Sequence, residues 1–210
     1  MDINDPKKLD ESKLKLAATI LILTIQNNLH TLVIIDSDCD GYTSAAVLMN
    51  YLHDLFPYWV ENKVSYIMHE GKQHGLSDHI KNITESNQPK LILIPDAGSN
   101  DVEECKKLEE MGIKVIILDH HLCDVINPYA IVINNQLCDY PNKELSGVGV
   151  VYQFCRYLDK LLQTNYADDY LDLVALGLDA DMMSLRSLET KHLIEKGFKN
   201  PKNPFFVYMM

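Results

Sequence analysis

Apolar positions along the chain follow two alternating periodicities. Short runs rich in β-branched residues read as strands: Thr31-Leu32-Val33-Ile34-Ile35, Val64-Ser65-Tyr66-Ile67-Met68, Leu91-Ile92-Leu93-Ile94, Val115-Ile116-Ile117-Leu118 and Ala130-Ile131-Val132-Ile133. Three of these are continuously apolar rather than alternating, the pattern of strands covered on both faces. Helical patterns stand between them, near Thr43–Leu55, Asp78–Ser86 and Val102–Met111. Strand–helix alternation predicts βαβ units and a mostly parallel β-sheet flanked by helices, an α/β fold. After Asn134 the pattern becomes helical, with segments near Gly149–Gln163, Asp168–Leu178 and Leu188–Gly197. The C-terminal third is therefore predicted to be helical.

Both ends need separate readings. Leu16–Ile25 is strongly apolar and predicts a buried helix, capped by Ser12 with Lys13 and Lys15 solvated. It is far short of the ~20 apolar residues that a membrane span requires. The acidic stretch Met1–Glu11 does not resemble a secretion signal. A cytoplasmic location with no membrane partner is expected. At the other end, Asn200-Pro201-Lys202-Asn203-Pro204 breaks the last helix, and the apolar Phe205–Met210 either docks on the core or begins a further domain.

Composition narrows the chemistry. Five cysteines without a CxxC pair argue against a disulfide framework or a thiolate zinc site, and each reads as a small buried apolar residue. The formal net charge of −11 argues against prolonged grip on a polyanion, which Lys and Arg normally supply.

The acidic residues are placed where chemistry happens in such folds. The first strand runs into Asp36-Ser37-Asp38-Cys39-Asp40-Gly41, the third into Pro95-Asp96-Ala97-Gly98, and the fourth into Asp119-His120-His121. Ligands of open parallel sheets bind outside the carboxyl ends of the strands. A single aspartate there is ordinarily a turn or cap, but clusters at three strand ends would repel one another without cations. Carboxylates with imidazole and no thiolate suit manganese or magnesium, and the number of carboxylates suggests two ions. The spacing Asp38-x-Asp40 is read as alternate residues of an extended segment facing one way, with Gly41 permitting a tight turn into the next helix. The N-terminus of that helix, at Ser44, is a candidate phosphate contact; Ser99 with Asn100 after Asp96 read first as caps and second as phosphate contacts. An EF-hand loop is excluded, because residues 42–49 are apolar helix where its last ligand would stand.

These residues resemble a known family. VIIDSDCDGYTSAAVL, ILIPDAGS, VIILDHH and VALGLDADMMSL are similar, in order, to the four motifs of DHH phosphoesterases, and the DGxTSAA form resembles the RecJ-like branch. EGKQHGLS is similar to the family's Gly-Leu loop and LSGVGVVYQF to its helix after the third motif. The resemblance spans roughly residues 30–198, taken as the catalytic domain, preceded by a helical segment 1–29 and followed by a tail 199–210. It implies metal ligation by Asp38, Asp40, Asp96, His120 and Asp181, with Asp96 as the bridge and Asp36 either supporting the ligands from behind or serving as an occasional ligand. His121 would face the scissile phosphate and Asp119 would orient its neighbours. Residue type alone does not choose Asp181 over Asp179; the motif does. The family's Glu-Asn-Arg triplet is replaced by Glu189-Thr190-Lys191, and the usual C-terminal substrate-binding domain is not among these residues.

The implied activity is metal-dependent hydrolysis of single-stranded DNA or RNA. Short oligonucleotides or dinucleotides are the alternative that the acidity suggests. A binding homologue that has lost its chemistry sits poorly with an intact ligand set. Lys7-Lys8 and Lys106-Lys107 read as solvated helix faces, Tyr140-Pro141 as a turn, Gly71–Gly75 as a loop near the cleft, and His69 and His74 as solvated loop residues. Ser146-Gly147-x-Gly149 is expected to let its helix pack closely on the sheet.

Overall fold

In the computed structural model, which describes residues 9–69, 75–77, 79–85 and 89–209, the five strands form one sheet. They are β1 (Thr31–Ile35), β2 (Val64–Met68), β3 (Leu91–Pro95), β4 (Lys114–Asp119) and β5 (Ile131–Asn134). All pairs are parallel, in the order β2-β1-β3-β4-β5. The chain leaves β1 towards β2 on one side, then returns to place β3 on the other. The crevice outside the carboxyl ends of β1 and β3 is thus the topological switch point, where open α/β sheets bind ligands. The loop Gly71–His74 lies outside the described residues.

Alternate strand residues feed two separate cores. Val33, Ile35, Leu93, Ile116 and Leu118 face one layer of helices, while Ile34, Ile92, Ile94, Val115 and Ile117 face the other. The first layer contains α1 (Glu11–Gln26), α2 (Cys39–Leu55), α6 (Gly147–Leu162), α7 (Leu171–Ala180) and α8 (Leu188–Lys199); the second contains α4 (Ile80–Glu85) and α5 (Val102–Glu110). This double coverage explains why β1, β3 and β4 are continuously apolar, whereas the edge strand β2 is half-exposed.

Several boundaries differ from expectation for local reasons. Asp10, not Ser12, caps α1, its carboxylate accepting the amides of Ser12 and Lys13. The segment 168–178 divides into a 3-10 turn at Ala167–Tyr170 followed by α7. A short helix, α3 (Pro57–Lys63), was not anticipated; Pro57 ends α2 at Phe56 and starts a new helix as its first residue. In the tail, Asp172 accepts the amides of Lys202 and Asn203, and Phe206 of α9 (Pro204–Met209) packs on the core beside Phe198. Tyr140 is no mere turn residue: it is buried and donates to Glu189. Among the cysteines only Cys105 and Cys155 are buried, and Cys39 is exposed. No helix among the described residues is long and apolar enough to cross a membrane.

Candidate metal centre

Three strand ends converge. Asp36 and Asp38 follow β1, Asp96 follows β3, and Asp119, His120 and His121 close β4. The ligand atoms of Asp36, Asp38 and Asp96 lie within 4.8 Å of one another, as do those of Asp40, His120 and Asp181, and those of Asp96, His120 and His121. Asp96 and His120 each belong to two of the three groups. His120 Nε2 is the hub, 3.3 Å from Asp96 Oδ1, 3.5 Å from Asp181 Oδ2 and 3.8 Å from Asp40 Oδ2. Asp179, two residues before Asp181, is exposed and takes no part in these groups. All six carboxylate and imidazole ligand candidates named from the motifs therefore meet in one place.

The spacing Asp38-x-Asp40 works differently from the extended segment expected. Asp38 is the N-cap of α2, with Oδ1 accepting the amide of Gly41 at 2.8 Å, while Asp40 already lies in the first turn. Gly41 has no positive φ, and its role is close approach: a Cβ there would meet Asp36 Cβ and the Asp36 carbonyl oxygen at 2.6 Å. Asp40 points to the N-terminus of α6, accepting from Ser146 Oγ (2.8 Å), Gly147 N (2.6 Å) and Val148 N (3.1 Å). The helix amides and dipole hold this buried carboxylate in one orientation. The Ser146-Gly147 turn thus serves Asp40 as well as close packing.

Asp96 is buried and adopts φ +71, a left-handed conformation uncommon outside glycine. Burial pushes its carboxyl well above the ordinary range, and the neighbouring charges of Asp40, Asp119 and Asp38 add to this. Asp181 is raised by burial and by Asp40 and Asp38, against the opposing pull of His120 and His121. Asp96 Oδ1 and Asp181 Oδ2 are buried yet accept no hydrogen bond among the described residues. Unsatisfied carboxylate oxygens facing one imidazole nitrogen are what divalent cations relieve, and the all-oxygen-plus-imidazole set fits manganese or magnesium.

Asp119 does something else. Its Oδ1 accepts the amides of His120 (2.7 Å) and His121 (3.1 Å) and meets His121 Nδ1 at 2.7 Å, while Oδ2 accepts the amide of Ser99. Burial pushes this carboxyl up, but the His121 bond and charge, with Ser99, outweigh it and bring it to about 2. The same bond raises His121 above its ordinary value. Asp119 therefore stays ionised and fixes the imidazole.

The phosphate candidates part company here. Ser99 lines a cavity of ≈ 700 Å³ with Gly98, Asn100, His121 and Leu122. Its amide is committed to Asp119, and its hydroxyl accepts from Asn134 Nδ2. Ser44 is fully buried on α2 and presents no hydroxyl surface to a ligand. His69 is buried, not solvated, with Nδ1 3.1 Å from His79 Nε2; His74 lies outside the described residues. Asn134, at the end of β5, was overlooked: it bonds Ser99 Oγ and the His121 carbonyl, tying two loops of the centre together. Its position one residue past an apolar strand was the available signal.

The profile of the DHH family, N-terminal domain, matches residues 30–178. The chain belongs to the DHH family. Among curated relatives, the putative SPbeta prophage-derived single-strand DNA-specific exonuclease YorK of Bacillus subtilis is 40% identical over 189 residues, covering 90% of this chain and 32% of that protein. Among solved structures, exonuclease RecJ bound to manganese superposes with a TM-score of 0.80 at 25% identity, covering 93% of this chain and 49% of the other. RecJ of Thermus thermophilus in complex with Mn2+ gives a TM-score of 0.76 at 25% identity, over 93% of this chain and 28% of that one. This DHH chain spans about a third of the length of the curated relatives it matches. The RecJ-like resemblance read from the motifs and the parallel α/β fold read from the strand–helix alternation are both borne out.

Proposed function

We propose that this DHH domain is a metal-dependent phosphodiester hydrolase acting on single-stranded nucleic acid. The observation that carries the reading is the pair of orphaned, buried oxygens on Asp96 and Asp181, within 3.5 Å of His120 Nε2. Asp38, Asp40, Asp96, His120 and Asp181 would hold two ions, manganese or magnesium, with the buried Asp36 close to Asp38 and Asp96. When bound, such a pair supplies Lewis acidity to phosphoryl oxygens and lowers the pKa of a nucleophilic water.

The chain's own groups do the rest. Asp119, held anionic, favours the protonated form of His121 and fixes its ring by the Nδ1 bond. Nε2 is then the ring atom that meets the substrate, stabilising charge on the phosphate or giving its proton to the leaving oxygen. The side chain of His121 is half-exposed beside the cavity, as that role requires. The α6 N-terminus keeps Asp40 from turning away from the centre.

The names of the relatives support single-stranded DNA as substrate. A second reading, hydrolysis of short oligonucleotides or dinucleotides, is favoured by the net charge of −11. A larger assembly, in which a further domain grips the strand while residues 30–198 cut, reconciles that acidity with a long substrate. The test is degradation of an end-labelled single-stranded oligonucleotide with manganese, beside a dinucleotide and bis(p-nitrophenyl) phosphate. Hydrolysis abolished by Asp96→Ala supports the reading. No turnover of any of the three by the unaltered protein refutes it.

A further inference from the structure

The segment that follows Asp181 is built in an unexpected way. Helix α7 ends in a Schellman motif: Met182 N–H donates to Asp179 O, and Met183 N–H to Leu178 O. That motif puts its next residue in the left-handed region, where glycine is the usual occupant, yet Met182 stands there with φ +55. Its side chain gains nothing by packing, since it is 88% exposed. Leu185 and Leu188 are 56% and 79% exposed in the same segment. A strained apolar residue offered to solvent beside a metal-centre carboxylate points to a ligand.

A second, independent feature is charge. Arg186 is one of only two arginines in a chain of net charge −11, and it lies exposed among those apolar residues. Among the described residues its guanidinium enters no ion pair or hydrogen bond. The nearby Glu144 carboxylate is engaged by the amide of Ser184. The backbone of the ridge is fixed at both ends. Ser184 closes turns with the amides of Arg186 and Ser187, and Glu189 is anchored by Tyr140, Asn142 and Gln153. The groups it displays are therefore positioned in advance.

We infer that the ridge Met182–Leu188 is the strand-binding element of this site: Arg186 takes a phosphate next to the scissile one, and Met182 with Leu185 packs against the face of an adjoining base. The inference rests on the phosphodiesterase reading and adds where the strand lies. Base faces are open to apolar side chains only in unpaired nucleic acid, so the ridge selects single strands. A cation beside exposed apolar groups matches a polyanion carrying unstacked bases better than it matches an apolar protein face.

The test is binding of a fluorescein-labelled oligothymidylate by anisotropy, from 20 to 200 mM salt, without added metal, using the whole chain. Arg186→Ala should weaken binding about tenfold at the lowest salt and make the log–log salt slope shallower by about 0.7, the value for one single-strand phosphate contact. Lys15→Ala, which removes an equal charge from α1, should leave the slope unchanged. Met182→Gly should weaken binding several-fold without lowering the melting temperature, because glycine suits the left-handed position. Unchanged affinity and slope in both ridge variants would overturn the inference, as would no binding by the unaltered protein at 20 mM salt. Binding with the Arg186-dependent slope, in a protein that hydrolyses nothing with manganese, would sustain the ridge and remove the hydrolase reading.

Discussion

Gly147→Ala is expected to destabilise the protein although alanine is the better helix former. The change offers at most about 0.5–1 kcal/mol of helix propensity. A Cβ at Gly147 would stand 2.2 Å from Asp96 Oδ1 and 2.5 Å from Asp96 Cβ and Cγ, whereas ordinary contact begins near 3.4 Å. Helix α6 and Asp96 must therefore separate by roughly 1 Å in a close-packed region. Asp96 has nowhere to go: it is 1% exposed, and its amide is bonded to Leu118 O at 2.7 Å. Overpacking of this kind costs about 1–3 kcal/mol, and contacts this short put it at the upper end, so the net loss should be about 2 kcal/mol. Moving the proposed bridging carboxylate by that distance should also weaken manganese binding roughly 10–100-fold. Gly149→Ala is the control on the same helix. Its Cβ would meet Leu145 Cδ2 at 2.9 Å and Cβ at 3.1 Å, a milder crowding that leaves Asp96 untouched and should therefore spare manganese affinity. Urea unfolding and calorimetric titration with manganese measure both quantities. A Gly147→Ala protein at least as stable as the unaltered one, with equal manganese affinity, would refute the placement of Asp96 against α6.

In the metal-free protein, the Asp119–His121 pair should stabilise the fold most between about pH 4 and 6.5. The lowered Asp119 contributes above its unfolded value of 3.8 and is lost as pH falls towards about 2, whereas the raised His121 contributes below 6.5 and is lost as pH rises through its folded value. Asp119→Asn should flatten that part of a pH–stability profile. Asp96 and Asp181, both raised above 3.8, act in the opposite sense, opposing stability as pH climbs and they must ionise. The rise in melting temperature given by manganese should accordingly grow from pH 4 upwards, and a constant shift across that range would contradict it. Glu189→Ala removes the acceptor of Tyr140, Asn142 and Gln153 together, and should cost about 2–3 kcal/mol in urea unfolding. A loss under 0.5 kcal/mol, on the order of a surface change, would show those donors satisfied elsewhere.

The parts of this architecture that were legible in the sequence are those set by local pattern and by the polarity of a parallel sheet. Continuous apolar runs identified β1, β3 and β4, and their carboxyl ends located Asp36, Asp96 and Asp119 on one edge. What pattern could not supply was the long-range partner. Asp40 is held by α6, whose Ser146 stands 106 residues away, so its spacing from Asp38 suggested an extended pair where a helix cap and a helical residue exist. Asp10 outcompeted Ser12 for α1 because both are good caps, and only the helix start distinguishes them. Met182 gave no signal, since its left-handed backbone belongs to the motif ending α7 and not to its own side chain. Ser44 lay on the right helix but on a buried face, a distinction that needs the packing of α2.

The most direct measurement is anomalous diffraction at the manganese edge from crystals soaked in manganese. Two peaks about 3.5–4 Å apart are expected, with Asp96 contacting both and Asp38, Asp40, His120 and Asp181 divided between them. An absence of peaks at millimolar manganese, or ions that do not touch Asp96, would contradict the account.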